Sequence, residues 1–179
     1  MSGSLKLNIG CGINKLEGFI NIDCDPEMKP DLVHKLPTKL PYENESCELI
    51  VMYHTIEHIS KKEHGAILME FWRLLSPEGL LIITFPEFTK CVENWKTNYR
   101  GKKEFWEATI YGRQASNSDY HVSIIDSNSF GRLMIDCGYQ IVKCISEVPE
   151  FWNTIIKAKR HSMHSYEIDV QDAVWHYPH

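Results

Sequence analysis

Leu7-Asn8-Ile9-Gly10-Cys11-Gly12 and, one short loop later, Phe19-Ile20-Asn21-Ile22-Asp23 are the stretches whose reading decides the fold. The first is a buried strand running into glycines, which let the backbone approach a ligand where a side chain would collide. The second strand ends in Asp23, whose carboxylate can accept hydrogen bonds from both hydroxyls of a ribose. A glycine turn followed by a strand-end acid follows the logic of adenosine binding. A dinucleotide site needs G-x-G-x-x-G, and the third position here is Lys15. That departure argues against a nicotinamide enzyme, as does the missing crossover helix whose N-terminus would receive a pyrophosphate.

Working outward, apolar runs alternate with helical patterns, which predicts an α/β architecture with a parallel sheet. The expected strands are Lys6 to Ile9, Phe19 to Ile22, Leu32 to Lys35, Leu49 to Tyr53, Gly79 to Phe85, Gln140 to Ser146 and Thr154 to Lys159. Ser60, with Glu63 as its capping-box partner, predicts a helix carrying Ile67, Leu68, Phe71, Leu74 and Leu75 at helical spacing. Pro77 and Gly79 are expected to stop it. A second helix is expected from Ser127, with Phe130, Leu133, Met134 and Cys137 inward and Gly138 at its end. Between them, Phe88 to Gly112 is rich in Trp, Tyr and Lys and reads as a helical cap over the site.

Only Ile13 to Gly18 separate the glycine turn from the second strand, and Cys24 to Pro30 form a similarly short link. A parallel crossover usually takes about a dozen residues or more and a helix. This half of the sheet is therefore expected to lack covering helices. The apolar surface left behind should be covered by the C-terminal segment with Val170, Val174, Trp175 and Tyr177, or by a second subunit.

A chain of 179 residues has room for one domain with a substantial core. The net charge of -5 supplies no basic footprint for nucleic acid. No apolar run has membrane-spanning length and no signal segment precedes the first strand, so the expected compartment is the cytoplasm. The six cysteines, Cys11, Cys24, Cys47, Cys91, Cys137 and Cys144, form no C-x-x-C pair and are expected to be reduced. His161, His164, His176 and His179 are the nearest suggestion of a metal site, but a polar tail is the simpler reading, and no metal is expected.

Further segments share an order with one family: Leu40-Pro41-Tyr42 before Cys47-Glu48-Leu49-Ile50, then His54-Thr55-Ile56-Glu57-His58, then Arg73-Leu74-Leu75-Ser76-Pro77-Glu78-Gly79-Leu80-Leu81-Ile82-Ile83, and finally Gly131-Arg132-Leu133 and Cys137-Gly138-Tyr139. Over roughly residues 5 to 159 the chain resembles the class I S-adenosylmethionine-dependent methyltransferases, in the compact branch that opens LN(I/L)GCG and continues GxxNID. The resemblance implies a Rossmann-like fold with a seven-stranded, mostly parallel sheet and an antiparallel last strand. It implies S-adenosyl-L-methionine as cofactor, S-adenosyl-L-homocysteine as product, and cofactor contacts from Asn8, Gly10, Cys11, Gly12, Asp23, Cys24, Leu36 and His54. The family often has an acid where this chain has Asn8, a third glycine where it has Asn14, and an acid where it has Lys35.

His54, Glu57 and His58 follow the fourth strand, at the sheet edge where open α/β proteins bind ligands. His121 matches a recurrent family position after a Tyr-Gly element, here Tyr111-Gly112. His54, His58 and His121 are the candidate bases, because imidazole suits a hydroxyl acceptor near neutral pH. Glu57, Glu87, Tyr111 and Tyr120 are candidate substrate contacts, and Glu57 and His58 are equally readable as braces of the following turn. Two functions stand: methyl transfer to a small polar acceptor, with O-methylation of a sugar or hydroxylated metabolite favoured, or a cofactor-binding or assembly subunit with little catalysis of its own. A homodimer is compatible with either.

Overall fold

The computed structural model describes residues 4–115, 119–145 and 153–161. At its centre lies a seven-stranded sheet in the order β3-β2-β1-β4-β5-β7-β6. The strands are β1 (Leu5–Ile9), β2 (Ile20–Asp23), β3 (Leu32–Val33), β4 (Cys47–Tyr53), β5 (Leu75–Pro86), β6 (Tyr139–Ile145) and β7 (Asn153–Arg160). The first five pair in parallel, and β7 is antiparallel to both of its neighbours. This is the expected Rossmann-like sheet with an antiparallel last strand.

Residues paired across neighbouring strands share a face of the sheet, which sorts the core. Leu7, Ile22, Ile50, Leu81 and Ile156 lie on one face and pack against α1 (His64–Leu74), through Ile67, Leu68 and Phe71, and against α4 (Ser127–Asp136), through Phe130 and Met134. The opposite face of β1 and β2 presents Lys6, Asn8, Asn21 and Asp23. It is polar in β1 and β2, so these two strands leave no apolar surface there in need of a second helical layer, and Val33 of β3, paired with Asp23, is the exposed apolar side chain on that face. That corrects the sequence expectation. Val170, Val174, Trp175 and Tyr177 lie outside the described residues, as do His164, His176 and His179.

A side-chain network stands where the crossover helix would be. Asn8 Nδ2 donates to the Asn14 carbonyl at 3.0 Å and to Asn21 Oδ1 at 2.9 Å. Asn21 Oδ1 also accepts from the Leu16 N–H at 2.8 Å, and its amide donates to the Leu16 and Phe19 carbonyls, both at 3.2 Å. Asp31 accepts from the Asn21 backbone N–H at 2.7 Å and from its side chain at 3.0 Å. Both asparagines are buried, so the satisfied network fixes the 13–18 loop in a low-dielectric setting.

Two boundaries differ from the sequence reading. Helix α1 begins at His64, with Glu63 rather than Ser60 before it and no side-chain cap. His64 turns back instead, with Nε2 3.1 Å from the Ile56 carbonyl and 3.0 Å from that of Ile59, tying the first turn to the preceding segment. Pro77 and Gly79 do not form a stop. They lie in the first part of β5, opposite the register shift between Cys47 and Leu49. In addition β3 is two residues long, Leu32–Val33, and Ser146 falls outside the described residues.

Phe88 to Gly112 contains two helices, α2 (Phe88–Lys96) and α3 (Lys103–Tyr111). Helix α4 starts where expected, capped by the Asp126 carboxylate, which accepts from the Ser129 N–H at 2.9 Å, and Gly138 follows its end with φ +88. All six cysteines are free thiols.

Candidate functional site

The parallel strands β1, β2, β4 and β5 end on one edge of the sheet, where ligands of open α/β folds bind. The chain leaves β1 through Gly10 and Gly12, both at positive φ (+66 and +48). A Cβ on Gly10 would stand 2.3 Å from both Thr55 Cγ2 and Oγ1, so Gly10 is the point where the turn after β1 touches the turn after β4. A Cβ on Gly12 would meet nothing within 4 Å. Gly12 thus borders open space, as the wall of a ligand cradle does.

Asp23 faces this loop from the end of β2. Its Oδ2 accepts from the Gly12 N–H at 2.8 Å and its Oδ1 from the Asp25 N–H at 2.9 Å. An ionised carboxylate has about four acceptor positions, so these bonds orient the group and leave capacity for a diol. Asp25, the competing acid, accepts from the Glu27 N–H and caps the short Pro26–Met28 turn. Cys11 is buried and Cys24 exposed; desolvation and then the Asp23 charge push both thiols up, keeping them neutral beside it. Asn8 spends its amide on the 13–18 loop, so its part at this edge is to hold the loop. Leu36 packs half-buried against the core beyond β3, Lys35 is exposed, and Lys15 reaches the Lys29 carbonyl.

The second cluster lies just past β4. His54 has φ +48, uncommon for a residue with a side chain, and the Ile56–His58 turn follows it. Glu57 is 2% exposed, and neither of its carboxylate oxygens has a hydrogen-bond partner. Its nearest ion-pair contact is His54 Nδ1, 3.4 Å from Oε1. His58 Nδ1 lies 2.9 Å from the Tyr120 carbonyl; a carbonyl only accepts, so Nδ1 carries the proton and the Nε2 lone pair is free of that bond. His121 packs edge-on against His58, with ring centroids 4.7 Å apart. Burial holds His121 below the usual imidazole range, against the opposing effect of Glu57 and of bonds to the Thr109 and Ile110 backbone.

The segment through Ser123 brings His121 here, since the Val122 and Ser123 N–H groups both donate to the Glu57 carbonyl, at 3.0 and 3.1 Å. Gly112 makes the return possible: it has φ +83, and a Cβ there would lie 1.7 Å from the Asp119 carbonyl oxygen. Beneath α2 and α3, Glu57, Pro86, Phe88, Cys91, Thr109 and His121 line a cavity of about 20 Å³, room for a water molecule or an ion. Burial, followed by the Glu87 charge, pushes the Cys91 thiol up to about 12. Tyr111 and Tyr120 are exposed. Glu87 is turned inward, where it accepts from the Ser127 N–H at 3.0 Å and the Thr154 hydroxyl at 2.6 Å, bracing β5, α4 and β7.

The structure therefore gathers the sequence-derived residues into two adjoining groups: Gly10, Cys11, Gly12, Asp23 and Cys24 around the loop, and His54, Glu57, His58 and His121 past β4. Thr55, which joins the groups through Gly10, was missed. Its only signal was its place between two histidines.

Residues 7–83 match the family described as "Methyltransferase domain". The fold of the whole is the Rossmann-like fold shared by solved methyltransferase structures. No curated protein matches the sequence. Among solved structures the fold is similar to a SAM-dependent methyltransferase from Methanosarcina mazei (16% identity, 90% of this chain and 94% of that one, TM-score 0.62). A Thermotoga maritima SAM-dependent methyltransferase, described as a possible histamine N-methyltransferase, gives 15%, 89%, 84% and 0.58 on the same measures. The putative methyltransferase in a complex with the Trm112 activator of Haloferax volcanii gives 13%, 89%, 84% and 0.60. The residues at this edge fit S-adenosyl-L-methionine: Gly12 leaves room at the loop, and Asp23 is held facing it with acceptor capacity to spare. Among the described residues no helix is long and apolar enough to cross a membrane.

Proposed function

We propose that the protein methylates a hydroxyl oxygen of a small polar acceptor, a sugar or similar hydroxylated metabolite. The supporting observation is the convergence of His54, Glu57, His58 and His121 beside the glycine loop. Bound S-adenosylmethionine supplies an electrophilic methyl group on a sulfonium. The chain's own tasks are to align the acceptor, exclude water and accept one proton. Asp23 and the loop at Gly12 would hold the cofactor's ribose and amino-acid ends. An imidazole kept neutral, as burial keeps His121, can take the proton of a hydroxyl, and the buried Glu57 carboxylate offsets the charge that results. The cavity under the cap is too small for a metabolite, so the acceptor belongs on the open side, where His54, Tyr111 and Tyr120 are exposed.

The test is transfer of label from methyl-labelled S-adenosylmethionine to a panel of sugars, polyols and matching amines. Label on a hydroxyl, reduced about 100-fold or more when His54, His58 and His121 are all replaced by Ala, supports the reading. Equal turnover by the triple variant removes the base assignment, and label on amines alone moves the acceptor atom to nitrogen. The second reading, a binding or assembly subunit in the cytoplasm, as a homodimer or with another protein, draws on the shortened first half and on the Haloferax volcanii neighbour's activator complex. Cofactor binding with no transfer to any acceptor until a partner is added would favour it.

A further inference from the structure

We propose that Glu57, His58 and His121 form a binding site for one first-row divalent transition-metal ion, of the Zn²⁺ or Mn²⁺ class. Their ligand atoms all lie within 4.8 Å of one another. Three points so spaced have a common point no farther than about 2.8 Å from each (4.8 Å divided by √3), and bonds from such ions to imidazole nitrogen and carboxylate oxygen are about 2.0–2.2 Å long. Rotations that move each ligand atom by about 0.7 Å therefore close the site.

Three independent features point to a cation. Glu57 is 2% exposed with both carboxylate oxygens unpartnered, a cost that a bound positive charge removes. His58 donates its Nδ1 proton to the Tyr120 carbonyl, the outer bond that fixes a ligating imidazole's tautomer and aims the other nitrogen. The cavity beside Glu57 and His121 has room for an ion. Two nitrogens with one oxygen suit zinc, manganese or iron better than magnesium or calcium, which take oxygen ligands. Cys91, in the cavity wall, stays protonated and is no ligand.

Three protein ligands leave coordination positions open, the pattern of catalytic rather than structural sites. On the O-methylation reading, an acceptor hydroxyl on the ion would be acidified, its proton passing to His54, which lies 3.4 Å from Glu57 and is not needed as a ligand. Binding of the ion itself does not depend on that reading.

Metal-stripped full-length protein would be titrated with Zn²⁺, Mn²⁺ and Co²⁺ separately by equilibrium dialysis, with Co²⁺ also followed by visible absorption. The expected result is one equivalent bound, weakened about 100-fold or more in Glu57→Gln and in His121→Ala, and unchanged when His161, His164, His176 and His179 are replaced by Ala. Circular dichroism checks that each variant folds. If Glu57→Gln does not fold, Co²⁺-induced shifts of the His58 and His121 ring protons in the wild type decide instead. Absence of saturable binding below millimolar metal, binding lost only with the four C-terminal histidines, or no ring-proton shifts would overturn the proposal. Calorimetric binding of S-adenosylmethionine to the same metal-free protein reports separately on the methyltransferase reading.

Discussion

Gly10 and Gly12 share positive φ, yet alanine at the two positions should have opposite consequences. Each substitution places a side chain in the left-handed region, at about 1–2 kcal/mol. At Gly10 the new Cβ also stands 2.3 Å from two Thr55 atoms, and overpacking of that kind adds about 1–3 kcal/mol. The sum is about 2–5 kcal/mol, which for a domain of this size lowers Tm by roughly 4–20 °C. At Gly12 nothing lies within 4 Å, so only the backbone cost applies and Tm falls by roughly 2–8 °C. The methyl of Gly12→Ala instead enters the open space beside Asp23, and affinity for S-adenosylhomocysteine should drop at least about tenfold, or 1.4 kcal/mol. Thermal unfolding and calorimetric titration of the two variants separate the effects. Thr55→Ala in the Gly10→Ala background should restore part of the stability, because the contacts to Cγ2 and Oγ1 disappear. Equal loss of cofactor affinity at both positions, with equal Tm, would refute the assignment of one glycine to packing and the other to the ligand.

Asp23→Ala should weaken S-adenosylmethionine binding about 100-fold, measured by calorimetry; a change under threefold would place the ribose contact elsewhere. Asn21→Ala leaves the Leu16 N–H and the Phe19 carbonyl without their side-chain partner, while the Leu16 carbonyl keeps the Phe19 N–H, and should destabilise by about 2–3 kcal/mol, with faster amide exchange concentrated in residues 13–19. Uniform exchange across the sheet would contradict the helix-replacing role of the network. Desolvation lowers both His64 and His121 in the folded state, so the unfolded chain binds more protons between the folded values and the unfolded value of about 6.5. Their stabilisation is complete above about pH 6.5 and is lost as pH falls through the lowered folded values, so Tm should drop between pH 7.5 and 5. In His64→Gln that drop should be smaller; an identical profile would exclude His64 as a contributor.

The strands were legible because each is an apolar run bounded by turn residues, and the antiparallel last strand came from the family resemblance. Helix α4 was legible because its cap and its terminal glycine are both local signals. The start of α1 was not. Ser60 and Glu63 carry the local pattern of a cap, but the His64 imidazole, bonding to two carbonyls of the preceding segment, sets where the helix begins. Pro77 and Gly79 misled for a related reason. Turn residues also suit an irregular strand, and Gly79 lies where a Cβ would stand 2.9 Å from the Cys47 carbonyl oxygen. The polar face of the first half was present in the alternation of Leu7, Asn8 and Ile9 and of Ile20, Asn21 and Ile22. Its meaning needed the pairing of Asn8 with Asn21, which only the parallel register supplies.

At the site, local reading named His54, Glu57, His58 and His121 but left open whether Glu57 and His58 brace a turn or face a ligand. Burial and bonding bear on that choice. A brace spends its polar atoms on the backbone, as Glu87 does with the Ser127 N–H and the Thr154 hydroxyl, and a carboxylate so satisfied is stable where it sits. Glu57 is buried to a similar degree and spends neither oxygen. A carboxylate in that state is costly unless a positive group shares its surroundings, and the groups within reach are imidazoles: His54 at 3.4 Å, with His58 and His121 completing the cluster. The His58 and His121 imidazoles and the carboxylate can together hold a cation. A cation there would place positive charge at the edge where, on the proposed O-methylation, an acceptor hydroxyl would give up its proton, so the carboxylate without a hydrogen-bond partner is the feature that supports a ligand-facing role for this turn.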